Sequence, residues 1–263
     1  MMTNRTPLET LMSRYPCTFN ITPEIDSDAK LREVQGKLKS EIQHPGDDTV
    51  NDIRNRNLLT WIEYKLGDLR SAVQQNEDVI RMTNSNDMVS LGNRVFLLKE
   101  KGENYDSAFQ SLKALTLRPD AGKLMGTAKA DQAYSYARIG GPKNQQYAID
   151  LYVEALQIEP DNFHWKFGLG LALRRSIHKE MARSPEFRMS FAQRVKEGAR
   201  VLFEVAETDS QRNLFRKRAY GELAFMRGLV EQQKDIQGGM SVKEIFRNMT
   251  KVDLDGKAKN IRE

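Results

Sequence analysis

Small and aromatic side chains recur along this chain at helical spacing and are interrupted by glycines, most clearly between Ala128 and Asn162. There Ala133, Tyr136 and Gly140 are followed by Ala148, Tyr152 and Ala155, and Pro160 closes the segment. Three- and four-residue steps place each trio on one helix face. The segment therefore reads as two antiparallel helices broken at Gly140-Gly141-Pro142, the second running from about Gln145 to Ile158. The alanines let the two helices approach closely, Tyr136 and Tyr152 fill the space between neighbouring hairpins, and a glycine ends the first helix.

The same skeleton occurs twice upstream. Leu91 to Pro119 carries Gly102, Ala108, Leu112 and Leu115, and Asn57 to Met82 carries Leu59, Gly67, Ala72 and Val79 before the polar break Thr83-Asn84-Ser85-Asn86. The step from Ala72 to Ala108 to Ala148 is 36 and then 40 residues, the period of a helix-hairpin repeat. A fourth repeat begins after Pro160 with FHWKFGLGLALRR, whose Gly168 and Gly170 read as close-packing positions in a helix. Its partner is displaced by an insertion from Ser176 to Pro185 and returns as an amphipathic stretch from Met189 to Val205. Asp26 to Gln43 predicts a helix that caps the stack, Gln211 to Gln233 another helix, and Val242 to Met249 a short one before a charged, fraying end. The expected fold is an all-α tetratricopeptide-repeat superhelix. Residues 1–56 form the capping region, 57–205 about four helix pairs, and 206–263 the final helices and tail.

In repeats of this class the first helix of each pair lines the concave surface. Its inward positions here are largely aromatic and basic: Arg54, Trp61, Tyr64 and Lys65 in repeat one, Phe96 and Lys99 in repeat two, Tyr134 and Arg138 in repeat three, and Phe167, Arg174 and Arg175 in repeat four. Arg138 and Arg175 fall at the same inward position of successive repeats. Aromatic faces stack bases and guanidinium groups pair with phosphate, so the groove suits a single RNA strand or its end. The same cations also suit an acidic protein segment. Both ligands remain open at this point.

Charge sharpens the picture without deciding it. Between Asp161 and Tyr220 there are 13 Lys or Arg against 7 Asp or Glu, enough to account for the formal +5 of the whole chain. Such clustering attracts phosphate, although helix faces are also made cationic for solubility. Arg212, Arg216, Lys217 and Arg218 fit either reading.

Enzyme chemistry finds no foothold. There is no phosphate-cradling glycine loop with the GxxxxGK[ST] spacing, Cys17 stands alone after Pro16, and the three histidines lack metal-ligand spacing. No cofactor, metal or catalytic residue is expected. With no run of about 18 apolar residues and no apolar signal core in MMTNRTPLETLMSRY, the expectation is a cytosolic protein without a membrane partner.

Several segments resemble the amino-terminal half of the interferon-induced proteins with tetratricopeptide repeats, the IFIT family. They are LETLMSRYPCTFNI, RNRNLLTWIEYKLGDLRSAVQQNEDV, ARIGGPKN and GGPKNQQYAIDLYVEALQIEPDNFHWKFGLGLALRR, and the similarity spans about Pro7 to Arg175. The resemblance implies a non-catalytic antiviral, innate-immune protein that holds RNA in a basic channel and recognises its 5′ phosphates. It also implies association with itself or with related repeat proteins. It matches Arg138 to a family lysine, Arg175 to a family arginine, Lys37 to a third basic position, and Tyr134 to a family tryptophan. Two departures accompany it. Family chains are nearly twice as long, and Glu41 stands where a phosphate-contacting glutamine lies, so a carboxylate would meet an anion there. Some members act chiefly through protein contacts, which keeps the acidic-segment ligand alive.

Overall fold

A computed structural model of the chain describes residues 14–44, 49–207 and 213–232, and these residues form helices and connecting turns without strands. The predicted helix at Val242 to Met249, the fraying end, Arg212 and the start of the LETLMSRYPCTFNI motif lie outside the described residues. The chain divides into two compact units. Unit 1 comprises Met1–Gly140 with Gln157–Glu159, and unit 2 comprises Gly141–Leu156 with Pro160–Glu263. The division falls inside the third predicted repeat, between its two helices.

Unit 1 holds α1 (Asp28–Gln43), α2 (Thr49–Lys65), α3 (Leu69–Met82), α4 (Met88–Glu100), α5 (Asp106–Thr116) and α6 (Ala121–Ile139). Hairpins α2/α3 and α4/α5 are the first two predicted repeats. Their starts are set by side chains that take up free backbone N–H groups: Asp68 accepts from the Ser71 N–H and Asp87 from the Ser90 N–H. The turn glycines Gly67, Gly102 and Gly140 all have positive φ, at 85°, 71° and 81°, a conformation that glycine adopts without steric cost. The spacing alanines do what their size implies: Ala72 is fully buried and Ala108 nearly so.

Two boundaries differ from expectation. Helix α2 begins at Thr49, eight residues before the repeat consensus, and α6 begins at Ala121, seven before Ala128. In both, the helix extends back to where polar or proline-containing chain stops it, beyond the part that carries the repeat pattern. The predicted N-terminal helix forms as well, over Asp28–Gln43. Helix α1 packs chiefly on α2, the first helix of repeat one, and also reaches α6.

Unit 2 contains most of α7 (Pro142–Ile158), then α8 (Phe163–Ser176), the four-residue α9 (Lys179–Ala182), α10 (Phe191–Glu207) and α11 (Asn213–Gln232). Helix α7 starts on Pro142, which supplies the fixed φ of a first helical residue and lacks only an N–H that would have no partner there. Asn162 caps α8 by accepting from the Trp165 N–H at 3.2 Å. Helix α10 returns against α8 after the predicted insertion, and α11 closes a core of Ile177, Val195, Leu202, Tyr220, Leu223 and Met226.

The glycine pair of α8 is a packing device. A Cβ on Gly168 would stand 2.4 Å from Cζ of Tyr152, and one on Gly170 would stand 2.6 Å from Cγ of Leu202. Tyr152 is only 2% exposed and has nowhere to move. Gly168→Ala is therefore expected to destabilise unit 2 by about 1–3 kcal/mol through overpacking. Gly36→Ala in α1, where a Cβ meets nothing within 4 Å, should be neutral or stabilising. Paired urea melts check this, and equal behaviour of the two variants would sink the packing account.

Candidate functional site

The densest arrangement of cation, ring and carboxylate in unit 1 is built by α1, α2 and α6. Asp131, Tyr134 and Arg138 lie three and four residues apart on α6 and so share a face. Beneath the ring, Arg54 of α2 donates from Nε to Asp131 Oδ1 at 2.8 Å, and both side chains are 5% exposed. The Tyr134 ring is in reach of two guanidinium groups, with the Cζ of Arg54 at 5.9 Å and that of Arg138 at 5.8 Å from its centroid. Each is a cation–π contact of about 0.5–1 kcal/mol or more when shielded from water.

Glu41 completes the site from α1. Arg138 donates from Nη2 to Glu41 Oε1 at 2.8 Å, and Asn55 donates from Nδ2 to Glu41 Oε2 at 3.1 Å. The Tyr134 hydroxyl in turn donates to Asn55 Oδ1. A closed circuit results, running from ring to amide to carboxylate to guanidinium. Its exposure rises outward, from the buried Asp131 and Arg54 through Arg138 at 20% to Glu41 at 46%.

The electrostatics follow the same gradient. Burial, with a smaller push from Asp87, raises the Asp131 carboxyl to about 7 even though Arg54 pulls it down. Burial also works against the charge on Arg138, but Tyr134 and then Glu41 outweigh it and hold the guanidinium above its ordinary value. Arg138 is therefore a firmly charged group at the surface end of a buried ion pair.

The remaining expected site residues of unit 1 sit elsewhere on it. Lys37 is exposed on α1 and pairs back along its helix with Glu33 at 2.5 Å. Glu33 is lowered to about 2 by its hydrogen bonds with Lys37 and Lys30. Trp61 is only 1% exposed and belongs to the core, so it offers no open face to a base; exposed Lys65 lies over its ring at 5.6 Å. Phe96 is stacked, but on the chain's own Phe19, with centroids 4.1 Å apart and planes at 19°. Tyr64 meets both rings edge-on and donates to Glu100. The stacking roles expected of Trp61 and Phe96 are thus taken by internal packing.

Phe19 reaches that place because residues 15–22 run across α2, α4 and α6. Asn93 accepts from the Thr18 N–H at 3.0 Å, Gln132 donates to the Cys17 carbonyl at 2.9 Å, and the Tyr136 hydroxyl accepts from the Thr22 N–H at 3.1 Å. Asn93 also donates to Thr18 Oγ1. Cys17 is buried in this segment, and burial pushes its thiol up to about 12, so it carries no thiolate at neutral pH.

In unit 2, Phe167 is 8% exposed and packs edge-on against Phe215 of α11 at 5.4 Å, which removes it too as an open stacking face. Arg174 lies with Cζ 5.0 Å from the Phe225 ring. Its Nε is 2.7 Å from Glu222 Oε2, a charge contact in which the N–H is not aimed at the oxygen. Arg175 is half-buried in the last turn of α8. Lys217 and Arg218 of the α11 cluster are exposed.

The structure thus brings Tyr134 and Arg138 together with Arg54, another predicted inward position, and adds Asn55 and Asp131, which were not singled out as ligand-binding positions. Asp131 had one available signal: a carboxylate flanked by Ala128, Ala130 and Ala133 on an otherwise small and apolar helix face requires a buried partner. Among the described residues, no group of three or more His, Cys, Asp or Glu is placed to hold a metal ion, and no helix is long and apolar enough to cross a membrane.

No family model matches the chain, and no curated protein does. Solved structures do match. Human IFIT1 as a dimer with PPP-AAAA aligns with a TM-score of 0.57 and 15% identity, over 97% of this chain and 58% of that one. Human IFIT1 as a dimer with m7Gppp-AAAA aligns with a TM-score of 0.60 at the same identity, over 97% and 60%. A monomeric IFIT1 mutant with Gppp-AAAA gives 0.59, also at 15% identity, over 97% and 57%. The chain thus spans less than two thirds of the length of these neighbours, and at this identity the likeness establishes the fold: an all-helical, tetratricopeptide-like architecture of the IFIT kind.

Proposed function

We propose that this chain is a non-catalytic, IFIT-like RNA-binding protein of the cytosol that takes the phosphorylated 5′ end of RNA at Arg138. The observation that carries the reading is the Arg138 guanidinium, set on the Tyr134 ring and donating, together with Asn55, to one oxyanion group. Two donors converging on two oxygens suit a phosphate as well as a carboxylate. The neighbouring IFIT1 structures hold RNA ends bearing PPP, Gppp and m7Gppp groups, which supports the same class of ligand. Lys37 and Lys65 of unit 1 are proposed to contact the RNA backbone, and Arg174 and Arg175 are proposed, separately, as RNA contacts of unit 2. Tyr134 supplies the accessible aromatic edge, and Trp61, Phe96 and Phe167 support the fold.

The test compares matched 5′-triphosphate and 5′-hydroxyl RNAs across several salt concentrations. The triphosphate should bind more tightly, and Arg138→Glu should weaken it by roughly ten- to a hundredfold, the loss expected for breaking a charge-assisted contact. Equal and negligible binding of both RNAs removes this reading. A specific observation favours a second one: Arg138 already holds a carboxylate, as it would in an acidic protein segment. A partner protein captured by the wild type and lost with Arg138→Glu, in the absence of RNA binding, would select it. Association with itself or with related repeat proteins belongs to the same proposal, since two of the IFIT1 neighbours are dimers.

A further inference from the structure

Glu41 makes two hydrogen bonds, one to Arg138 and one to Asn55, and both leave its own helix. Lys37, one turn earlier on α1, pairs with Glu33 instead and leaves Glu41 to α2 and α6. Both carboxylate oxygens are therefore engaged by donors from two other helices, at 2.8 and 3.1 Å. Those donors form an anion cradle, and the anion in it belongs to the chain. Because the Glu41 side chain is 46% exposed, it can rotate into water without moving the helix backbone. Arg138, at 20% exposure and fixed over Tyr134, stays in place.

We infer that Glu41 is a built-in competitor for this site and determines its specificity: only a ligand whose oxyanion outcompetes a tethered carboxylate for Arg138 and Asn55 gains the cradle. This inference rests on the proposed phosphate-binding role of Arg138 when the ligand is RNA, but the competition itself does not require RNA. The chemistry selects groups of high charge density, such as a terminal polyphosphate, over a lone phosphodiester, which carries one negative charge shared by its non-bridging oxygens. It also has a thermodynamic signature. In the wild type a phosphate that displaces Glu41 leaves a bare carboxylate that recruits a cation, so fewer ions are released in total. With the carboxylate gone, the full release is recovered.

The experiment uses the full chain and its Glu41→Gln variant, with Glu103→Gln as a control that removes a negative charge from the Lys101 pair away from the site. Binding of 5′-triphosphate RNA is measured over a salt series, and inorganic tripolyphosphate is titrated separately, read by the thermal midpoint and by the side-chain NMR resonance of Arg138. Glu41→Gln is expected to bind the triphosphate RNA roughly tenfold more tightly, as for removal of one charge-assisted competitor. Its log affinity should fall more steeply with log salt, by about 0.7 for one phosphate contact of a single strand. The control should do neither. Glu41→Gln that matches the wild type in affinity and salt slope, while Arg138→Glu abolishes binding, overturns the inference and leaves the RNA reading intact. If no variant binds RNA but tripolyphosphate shifts the Arg138 resonance in Glu41→Gln at concentrations that leave the wild type unmoved, the RNA reading falls and the inference stands. Tripolyphosphate titrating the wild type and Glu41→Gln identically overturns it whatever RNA does.

Discussion

At pH 8, where Asp131 is ionised beside it, Arg54→Met is expected to lower the stability of the folded chain by about 3–5 kcal/mol, the loss seen when one member of a buried ion pair is removed and the other is left behind. Arg54 and Asp131 are both 5% exposed and 2.8 Å apart, so neither can recover its hydration in place. The methionine keeps most of the volume, which isolates the charge from the packing. Asp131→Asn combined with Arg54→Met should cost less than Arg54→Met alone, because no charge is then left without a counterpart. Urea denaturation of the four members of the cycle gives the coupling directly. A single variant within about 1 kcal/mol of the wild type, the value typical of an exposed pair, would show that Arg54 does not carry the site. The consequence extends outward, because the Tyr134 ring that contacts Arg138 also contacts Arg54.

Stability should also fall as pH rises from about 4 to about 7. The Asp131 carboxyl is raised from its ordinary 3.8 to about 7, primarily by burial. Within that window the folded chain holds a proton that the unfolded chain has released, so unfolding is favoured progressively as pH increases. Glu63 is also raised by burial and adds in the same direction. Glu33 works oppositely but elsewhere: lowered to about 2, it stabilises above its unfolded value of 4.5 and loses that contribution only as pH falls below it. Denaturation midpoints from pH 4.5 to 7.5 for the wild type and Asp131→Asn test this, the variant being expected to show the flatter profile. Parallel profiles would exclude Asp131 as the titrating group. The two predictions interlock, because removing Arg54 raises the Asp131 carboxyl further and should hurt more at pH 7.5 than at pH 5.

The helical hairpins were legible in the sequence because their determinants are local. Gly67, Gly102 and Gly140 end first helices through a backbone conformation, and Ala72, Ala108 and Ala148 mark contact points by their size alone. The concave-face assignment identified Tyr134 and Arg138 for the same reason, since one turn of one helix decides which way they face. What the residues beside them do was not local. Glu41 and Arg138 are 97 positions apart, and Arg54 and Asp131 are 77 apart. No periodicity reports such pairings. Aromatic positions were ambiguous in a more basic way. A ring at an inward position presents the same face to a base, to Phe19 or to Phe215, so Phe96 and Phe167 looked available until their internal partners were seen.

The segment at residues 15–22 imposes an order on biosynthesis. Its backbone is held by side chains of Asn93, Gln132 and Tyr136, at sequence separations of 75, 115 and 114 residues. These amino acids leave the ribosome early, yet their binding surface is complete only once α6 has been made. Until then the Cys17 carbonyl and the Thr22 N–H lack the α6 partners that hold them in the finished fold. A segment made before all six helices of unit 1 is thus held by the sixth.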